Sequence, residues 1–431
     1  MSILSKTFGT KLLPGHYHGR IFEEIHRNEN EKCLTLRKNK NILVLIKDEL
    51  FEFINECDIE LSPGQLISFD ICEKGDLVNL ITRGTIKTNG LESDVLRWRR
   101  PTQNPSRMEI LRVRHRILRA IREWFDIQEF IETETPILVH APNPESQFSP
   151  IKTDSGFLIT SPEFQMKRLL VGGFEKIYQF ARCFREGEIG PFHNPEFTIL
   201  EWYRSEVKLE VLMSDIEEII SYLVKNIFKG NPPEKVSLPP WPRMTVCSIF
   251  KKYLNIFLDG SESSTQLRLK VQSSGHNSLL DNLKIEPETP ENLAYEQIFF
   301  RLWNYIETEF LKNTTVFVYE WPLPLASLAS VCSQNSGFAE RVELYANGIE
   351  LANGFMELTD PVEQRKRFEQ DLLNRHSEGR NSVPLDEKFL KSLELGLQNC
   401  SGMALGLDRL IMWLCGTKKI RDVLCFSQDE L

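Results

Sequence analysis

Apolar and polar positions alternate in short blocks through the first 90 or so residues. HGRIFEEI, KCLTLRK and NILVLIKD read as three strands parted by polar breaks at Asn28–Glu31 and Asn39–Asn41. In ELFEFINECDI, Leu50, Phe53, Ile54 and Cys57 fall at helical spacing and predict a helix. Pro63-Gly64 marks a turn, and LISFDICEKGDLVNLITRGTI supplies two further strands about Lys74-Gly75-Asp76. Three strands, a helix and two strands is the order of an OB-type β-barrel, a frame that serves RNA binding or plain docking. The strands offer only Tyr17, Phe22 and Phe69 for stacking on bases, and acidic and basic residues balance, so the pattern does not choose between the two.

A polar connector with RWRRP spans about 91–106. After it the period changes to that of a helix: from Arg107 to Asp126, Ile110, Leu111, Val113, Ile117, Leu118, Ile121, Trp124 and Phe125 recur on one side. The other side carries arginines, a solvated face or a landing site for an acidic partner. The rest, 107–431, mixes helices with strand-like runs and predicts one large α+β domain. Within it, about 225–300 is rich in loop signals (NPPEKVSLPPWPR, DGSESSTQLRLKVQSSGHN) and is expected to be an insertion rather than catalytic framework.

Composition narrows the class. The chain has 431 residues, is 41% hydrophobic and 26% charged, and carries a formal net charge of −9. Apolar content is ample for large cores, and net acidity speaks against coating nucleic acid by bulk charge. No run approaches the ~18 apolar residues of a membrane span, and the start has no signal-peptide core, so a cytoplasmic protein is expected. The nine cysteines include no CxxC pair and the histidines no HxxxH, which argues against a structural zinc site.

Chemistry concentrates in three segments. ITSPEFQMKRLLVGGFEKIYQFARCFREGEIGPFHNPEFTILEWYR places strand-like runs on either side of a loop of Arg, Glu, His and Asn. GIELANGFMELTD sets Glu350, Asn353 and Glu357 on an otherwise apolar strand. SGMALGLDRLIMWLCG is a Gly-rich strand entering a helix with Arg409 at the junction, where small residues let a ligand approach the backbone. Arginines beside carboxylates suit a nucleoside triphosphate: the cations neutralise phosphate oxygens and the carboxylates bring Mg²⁺ to them. No GxxxxGK[ST] or GxGxxG loop is present.

These segments resemble class II aminoacyl-tRNA synthetases of the lysyl group, and within it the paralogous ligases that modify translation elongation factor P. The likeness runs in order from 107 to 431: FIETETPIL (motif 1), the TSPEFQMKRLLVGGF block, FREGEIGPFHNPEFTILEWY (motif 2), VYEWPLPLASLA, GIELANGFMELTDPVEQRKRFEQD and ALGLDRL (motif 3).

The resemblance implies a six-stranded antiparallel sheet flanked by helices, a homodimer formed through motif 1, and ATP with Mg²⁺. It implies lysine or (R)-β-lysine activated as an acyl-adenylate, with elongation factor P as the acceptor. By motif, Arg185 grips the α-phosphate and Arg409 the γ-phosphate. His193 and Asn194 lie along the nucleotide, Phe197 stacks on adenine, Glu350 holds Mg²⁺, Leu351 lies beside the nucleotide and Gly406 clears room for it. Ser161, Pro162 and Glu163 face the amino acid, with Glu163 toward its amine, while Tyr203 and Glu357 read the distal ammonium. Glu201 is read as an arginine partner outside the site. Glu186 and Gly187 fall at the nucleotide where the usual FRNE is FREG, so Gly187 replaces a glutamate, leaving Glu186 or Glu188 to reach the adenine. Ala404 stands where lysyl synthetases usually have Gly and the ligases Ala, an extra methyl that favours a β-amino acid. The 90-residue N-terminal unit is unlike the ligases and keeps tRNA charging open; the motif 2 departure keeps open a synthetase-like binding protein with weak catalysis.

Overall fold

The structure, a computed structural model, describes residues 107–431 and, before them, the backbone of five strands. These are β1 (Gly15–Ile25), β2 (Lys40–Ile46), β3 (Glu49–Asn55), β4 (Leu66–Ile71) and β5 (Leu77–Arg83), joined in one antiparallel sheet in the order β3-β2-β1-β4-β5. The helix predicted over ELFEFINECDI is strand β3 for its first seven residues, paired with β2 so that Leu50 faces Leu45 and Phe51 faces Val44. Helical spacing of Leu50, Phe53 and Ile54 was the weaker signal. Phe51 and Phe53 flank Glu52 at the strand period. The predicted strand KCLTLRK lies outside the described residues. The sheet is established; its closure as an OB-type barrel rests on the sequence.

The C-terminal unit spans Val113–Leu431 by its internal contacts. The boundary falls within the predicted helix, α1 (Arg107–Ile127), whose Ile110, Val113, Ile117, Ile121, Trp124 and Phe125 are buried while Arg116, Arg119 and Arg122 are exposed. Then come β6 (Ile131–Glu132), a small ribbon of β7 (Leu138–Val139), β8 (Lys152–Thr153) and β9 (Gly156–Leu158), helix α2 (Glu163–Val171), and the hairpin β10 (Lys176–Phe184) and β11 (Glu196–Ser205). Helix α3 (Leu209–Ile227), strand β12 (Arg243–Thr245) and helices α4 (Val246–Leu254), α5 (Ser264–Ser273) and α6 (Glu291–Ile306) follow. The chain ends with β13 (Thr315–Pro322), β14 (Phe338–Ala346), β15 (Ile349–Met356), α7 (Pro361–Ser377), α8 (Glu387–Glu394), β16 (Cys400–Gly406) and α9 (Leu407–Cys415).

The main sheet has eight strands in the order β12-β13-β14-β15-β16-β11-β10-β6. Its six central strands are antiparallel throughout, as expected, and the short edge strands β12 and β6 add parallel pairs. At one end Phe125 of α1 stacks on Tyr178 of β10 at 4.2 Å between ring centroids. At the other, the segment expected to be a loop-like insertion packs Val246, Phe250, Leu267, Phe299 and Trp303 into one core with Val316, Val318 and Trp321 of β13. Its apolar residues sit at helical spacing between the Pro- and Ser-rich stretches, and those stretches masked them. Helix α6 is framework: it supplies part of the cavity wall.

Candidate active site

Three arginines reach one cavity of about 590 Å³ over the sheet: Arg341, committed to Glu343 and the Leu325 carbonyl, and the less fully paired Arg185 and Arg409. Arg185 follows β10, and its guanidinium lies over the Phe148 ring at 3.7 Å and the Phe197 ring at 4.9 Å from their centroids. Buried Arg375 of α7 sets that stack, donating to the Phe148 carbonyl at 2.6 Å and the Glu145 carbonyl at 3.0 Å. Arg185 Nε is buried without a hydrogen-bond partner, and the guanidinium makes only a loose ion pair with Glu188 at 3.8 Å, with Glu145 and Glu350 farther off. Burial lowers its pKa, chiefly through lost hydration, yet a guanidinium stays charged at any physiological pH. A desolvated, underpaired cation of this kind binds an anion strongly.

Arg409 enters from the first turn of α9. It donates to the Glu350 carbonyl at 3.0 Å, meets His193 Nε2 at 2.8 Å and lies 3.8 Å from the Glu350 carboxylate. Burial, and then Arg409 itself, lower the pKa of His193, so the ring is neutral and its Nε2 accepts from the arginine. The preceding residue, Asp408, anchors the helix start: it accepts from Arg114 of α1 at 2.5 Å and from the Thr198 amide at 2.8 Å.

Arg185, His193, Asn194, Phe197, Glu350, Leu351, Gly406 and Arg409 all line the cavity. Asn194 does so with a committed amide, which donates to the Glu196 carbonyl at 2.7 Å and accepts from the Gln428 amide at 2.9 Å; it latches the motif 2 loop to the chain end. Glu186 and Gly187 are exposed and stand outside the lining, on a turn where Gly187 takes φ +76°. Of the two glutamates left by the FREG departure, Glu188 is the one that faces the cavity.

No group of three His, Cys, Asp or Glu side chains poised for a metal exists among the described residues. Glu350 beside Arg185 and Arg409 fits Mg²⁺ that arrives on phosphate oxygens, since Mg²⁺ commonly takes one or two protein carboxylates and completes its shell with phosphate and water.

The other end, where the substrate amines are expected, is built differently. Helix α2 is seated by Phe164, Met166 and Leu170, with Phe164 stacked on Phe389 at 4.4 Å. The same buried face carries Glu163 and, one turn on, Lys167, whose side chain is fully buried. Lys167 Nζ lies 2.6 Å from Glu163 Oε1 and 2.5 Å from Glu357 Oε2. On β11 the strand period brings Glu201 beneath Tyr203, whose hydroxyl donates to Glu201 Oε1 at 2.6 Å, while Ser161 donates to Oε2 at 2.9 Å. Gly402 on the neighbouring strand makes room: a Cβ there would lie 2.3 Å from the Tyr203 ring and 2.4 Å from Glu357 Oε1. Ser161 and Glu163 line the cavity; Pro162, Glu201, Tyr203, Lys167 and Glu357 form its buried backing.

Burial raises the pKa of Glu201 to about 7 and that of Glu357 as well, with Glu163 adding to both. Burial alone pulls the Lys167 ammonium down, but Glu163 and Glu357 outweigh it and the group stays charged. Glu201 is therefore a pocket residue and not an arginine partner. It was legible as the residue two before Tyr203 on one strand face, and Lys167 as the residue one helical turn after Glu163. Ala404 joins the two ends of the site. It pairs with Glu201 of β11 on one side and Asn353 of β15 on the other, and lines the cavity.

The family description "tRNA synthetases class II (D, K and N)" matches residues 91–430. The chain belongs to that family. A lysine–tRNA ligase of Moorella thermoacetica is 33% identical over 79% of this chain and 70% of its own length. An elongation factor P–(R)-β-lysine ligase of Salmonella arizonae is 34% identical over 78% of this chain and 99% of its own length. One of Proteus mirabilis is 36% identical over 72% of this chain and 92% of its own length. Among the described residues no helix is long and apolar enough to cross a membrane.

Proposed function

We propose that this class II ligase activates lysine or (R)-β-lysine with ATP and transfers it to a lysine side chain of elongation factor P. One observation carries the reading: Arg185 and Arg409 on one side and an acidic pocket on the other stand toward opposite ends of the same central strands β15, β16 and β11, with Ala404 between them. The pocket holds the amino acid by its ammonium groups, so its carboxylate points toward the arginines. That carboxylate oxygen attacks the α-phosphorus, the bond to the bridging oxygen breaks and pyrophosphate leaves. Arg185 meets the charge that grows on the α-phosphate, and Arg409 the departing end. Glu350 would hold Mg²⁺, which draws charge from the phosphate oxygens. In the second half an uncharged amine of the acceptor attacks the acyl carbon and AMP leaves.

Near-complete coverage of the elongation factor P ligases, and Ala404 at the junction, favour the protein acceptor. The N-terminal sheet, beyond what the ligases' length accounts for, favours a second reading, the charging of tRNA. The exposed apolar residues Ile127, Ile131, Ile137 and Leu138, in and after α1, support a homodimer formed through motif 1. Pyrophosphate exchange with ATP and each lysine isomer tests activation, and intact-mass analysis of elongation factor P beside tRNA acceptor assays tests transfer. Exchange followed by a mass gain on the factor is expected. Charged tRNA with an unmodified factor reverses the choice of acceptor, and no exchange at all leaves a binding protein.

A further inference from the structure

Lys167 has no part in the activation chemistry, yet it is the least exposed charged side chain in the site. It stands at contact distance from both glutamates expected to read the substrate's nitrogens. Facing it are Glu163 from its own helix, Glu357 after β15, Glu201 and Tyr203 from β11, and Cys400 from β16; no second cation lies among them. The carboxylates of Glu163, Glu201 and Glu357 against one ammonium leave the fully ionised pocket at a net −2. That equals the opposite of a diamino acid's two ammonium groups, the substrate's own carboxylate being turned toward Arg185.

We infer that Lys167 is a positioning residue that fixes the pocket's charge: its ammonium holds Glu163 and Glu357 in place and leaves a deficit that only a substrate with two cationic nitrogens fills. The inference rests on the reading of this pocket as the amino-acid site. Without Lys167, three buried carboxylates within reach of one another hold their protons to higher pH than they do beside its ammonium. A diamino acid must then expel those protons to bind, so the loss falls on KM, is largest at low pH, and diminishes as pH rises. Removing a second charge with the first restores the balance: Lys167→Met with Glu357→Gln leaves Glu163 and Glu201, again a net −2.

The test is pyrophosphate exchange at pH 6 to 9 with L-lysine, β-lysine and norleucine, a lysine analogue without the distal amine, on the wild type, each single variant and the double variant. Lys167→Met and Glu357→Gln are each expected to raise the lysine KM by about 30-fold or more at pH 7 with kcat within a few-fold. In Lys167→Met the penalty shrinks toward pH 9. The double variant recovers at least tenfold of the loss and keeps its preference for lysine over norleucine. A lysine KM and pH profile in Lys167→Met equal to wild type overturn the inference. So does a double variant whose losses simply multiply. Should Lys167→Met fail to fold, the double variant against Glu357→Gln decides by the same criterion. Absence of exchange with either diamino acid in the wild type strikes the reading of the site itself, and is seen before any variant is compared.

Discussion

The Tyr203 hydroxyl donates to Glu201 Oε1 from two residues along the same strand, at 2.6 Å, and Ser161 closes the other carboxylate oxygen. Glu201 thus lies buried with both oxygens directed, the arrangement that lets a carboxylate meet an ammonium without reorganising. A hydrogen bond to a charged group contributes ~1.5–3 kcal/mol. Tyr203→Phe is therefore expected to raise the lysine KM by about 10- to 100-fold at unchanged ATP KM. Steady-state exchange kinetics check it; an ATP KM that rises in parallel shows Tyr203 to be general packing.

Ala404 places one methyl at the junction of the two ends, level with Glu201 and Asn353. One carbon in a pocket discriminates by ~1–3 kcal/mol. Ala404→Gly frees that volume, and its expected effect is a rise in α-lysine use relative to β-lysine of about tenfold. The two isomers are compared by kcat/KM in exchange. An unmoved ratio takes the methyl out of the account of isomer choice.

Arg185 owes its position to two rings, Phe148 and Phe197, which a planar guanidinium can lie against and an ammonium cannot match. Arg185→Lys keeps the charge and loses the plane. The expected result is a fall in kcat of about 10²- to 10³-fold, the scale of losing one donor to transition-state charge. Activity within threefold of wild type would show that charge alone suffices there.

How much of this was open to sequence reasoning divides by period and distance. Arg185, Glu350 and Arg409 sit in compact motifs whose residue types declare phosphate chemistry, and the structure brings them to one cavity. The six-stranded antiparallel centre was what the resemblance to class II synthetases implied. Lys167 was overlooked, and Glu201 set aside as an arginine partner, because their meaning is tertiary: Lys167 is an ordinary helical lysine until Glu357, 190 positions away, comes to 2.5 Å. The helix predicted at Leu50 failed because a short apolar run fits both periods, and pairing with β2 decided for strand. Helix α6 was lost among flanking turn signals, although its Phe300 and Trp303 line the cavity.

Proton linkage of the pocket gives the last prediction. Burial raises Glu201 to about 7 from an ordinary 4.5, and raises Glu357 in the same direction. A carboxylate raised in the folded state keeps its proton where the unfolded chain has lost it. Below the ordinary value both states are protonated; above it the folded state binds more protons, so stability drawn from these groups declines as pH climbs from about 4.5 toward neutrality. Lysine binding runs the other way, since its ammonium groups favour the ionised carboxylates. The ligand-free protein should lose melting temperature across that interval, while the stabilisation given by a fixed concentration of lysine should grow from pH 6 to 8. Glu201→Gln should flatten both trends. Thermal denaturation across pH, with and without lysine, reads the two together, and a lysine shift that is constant with pH would mean that these carboxylates are already ionised before the substrate arrives.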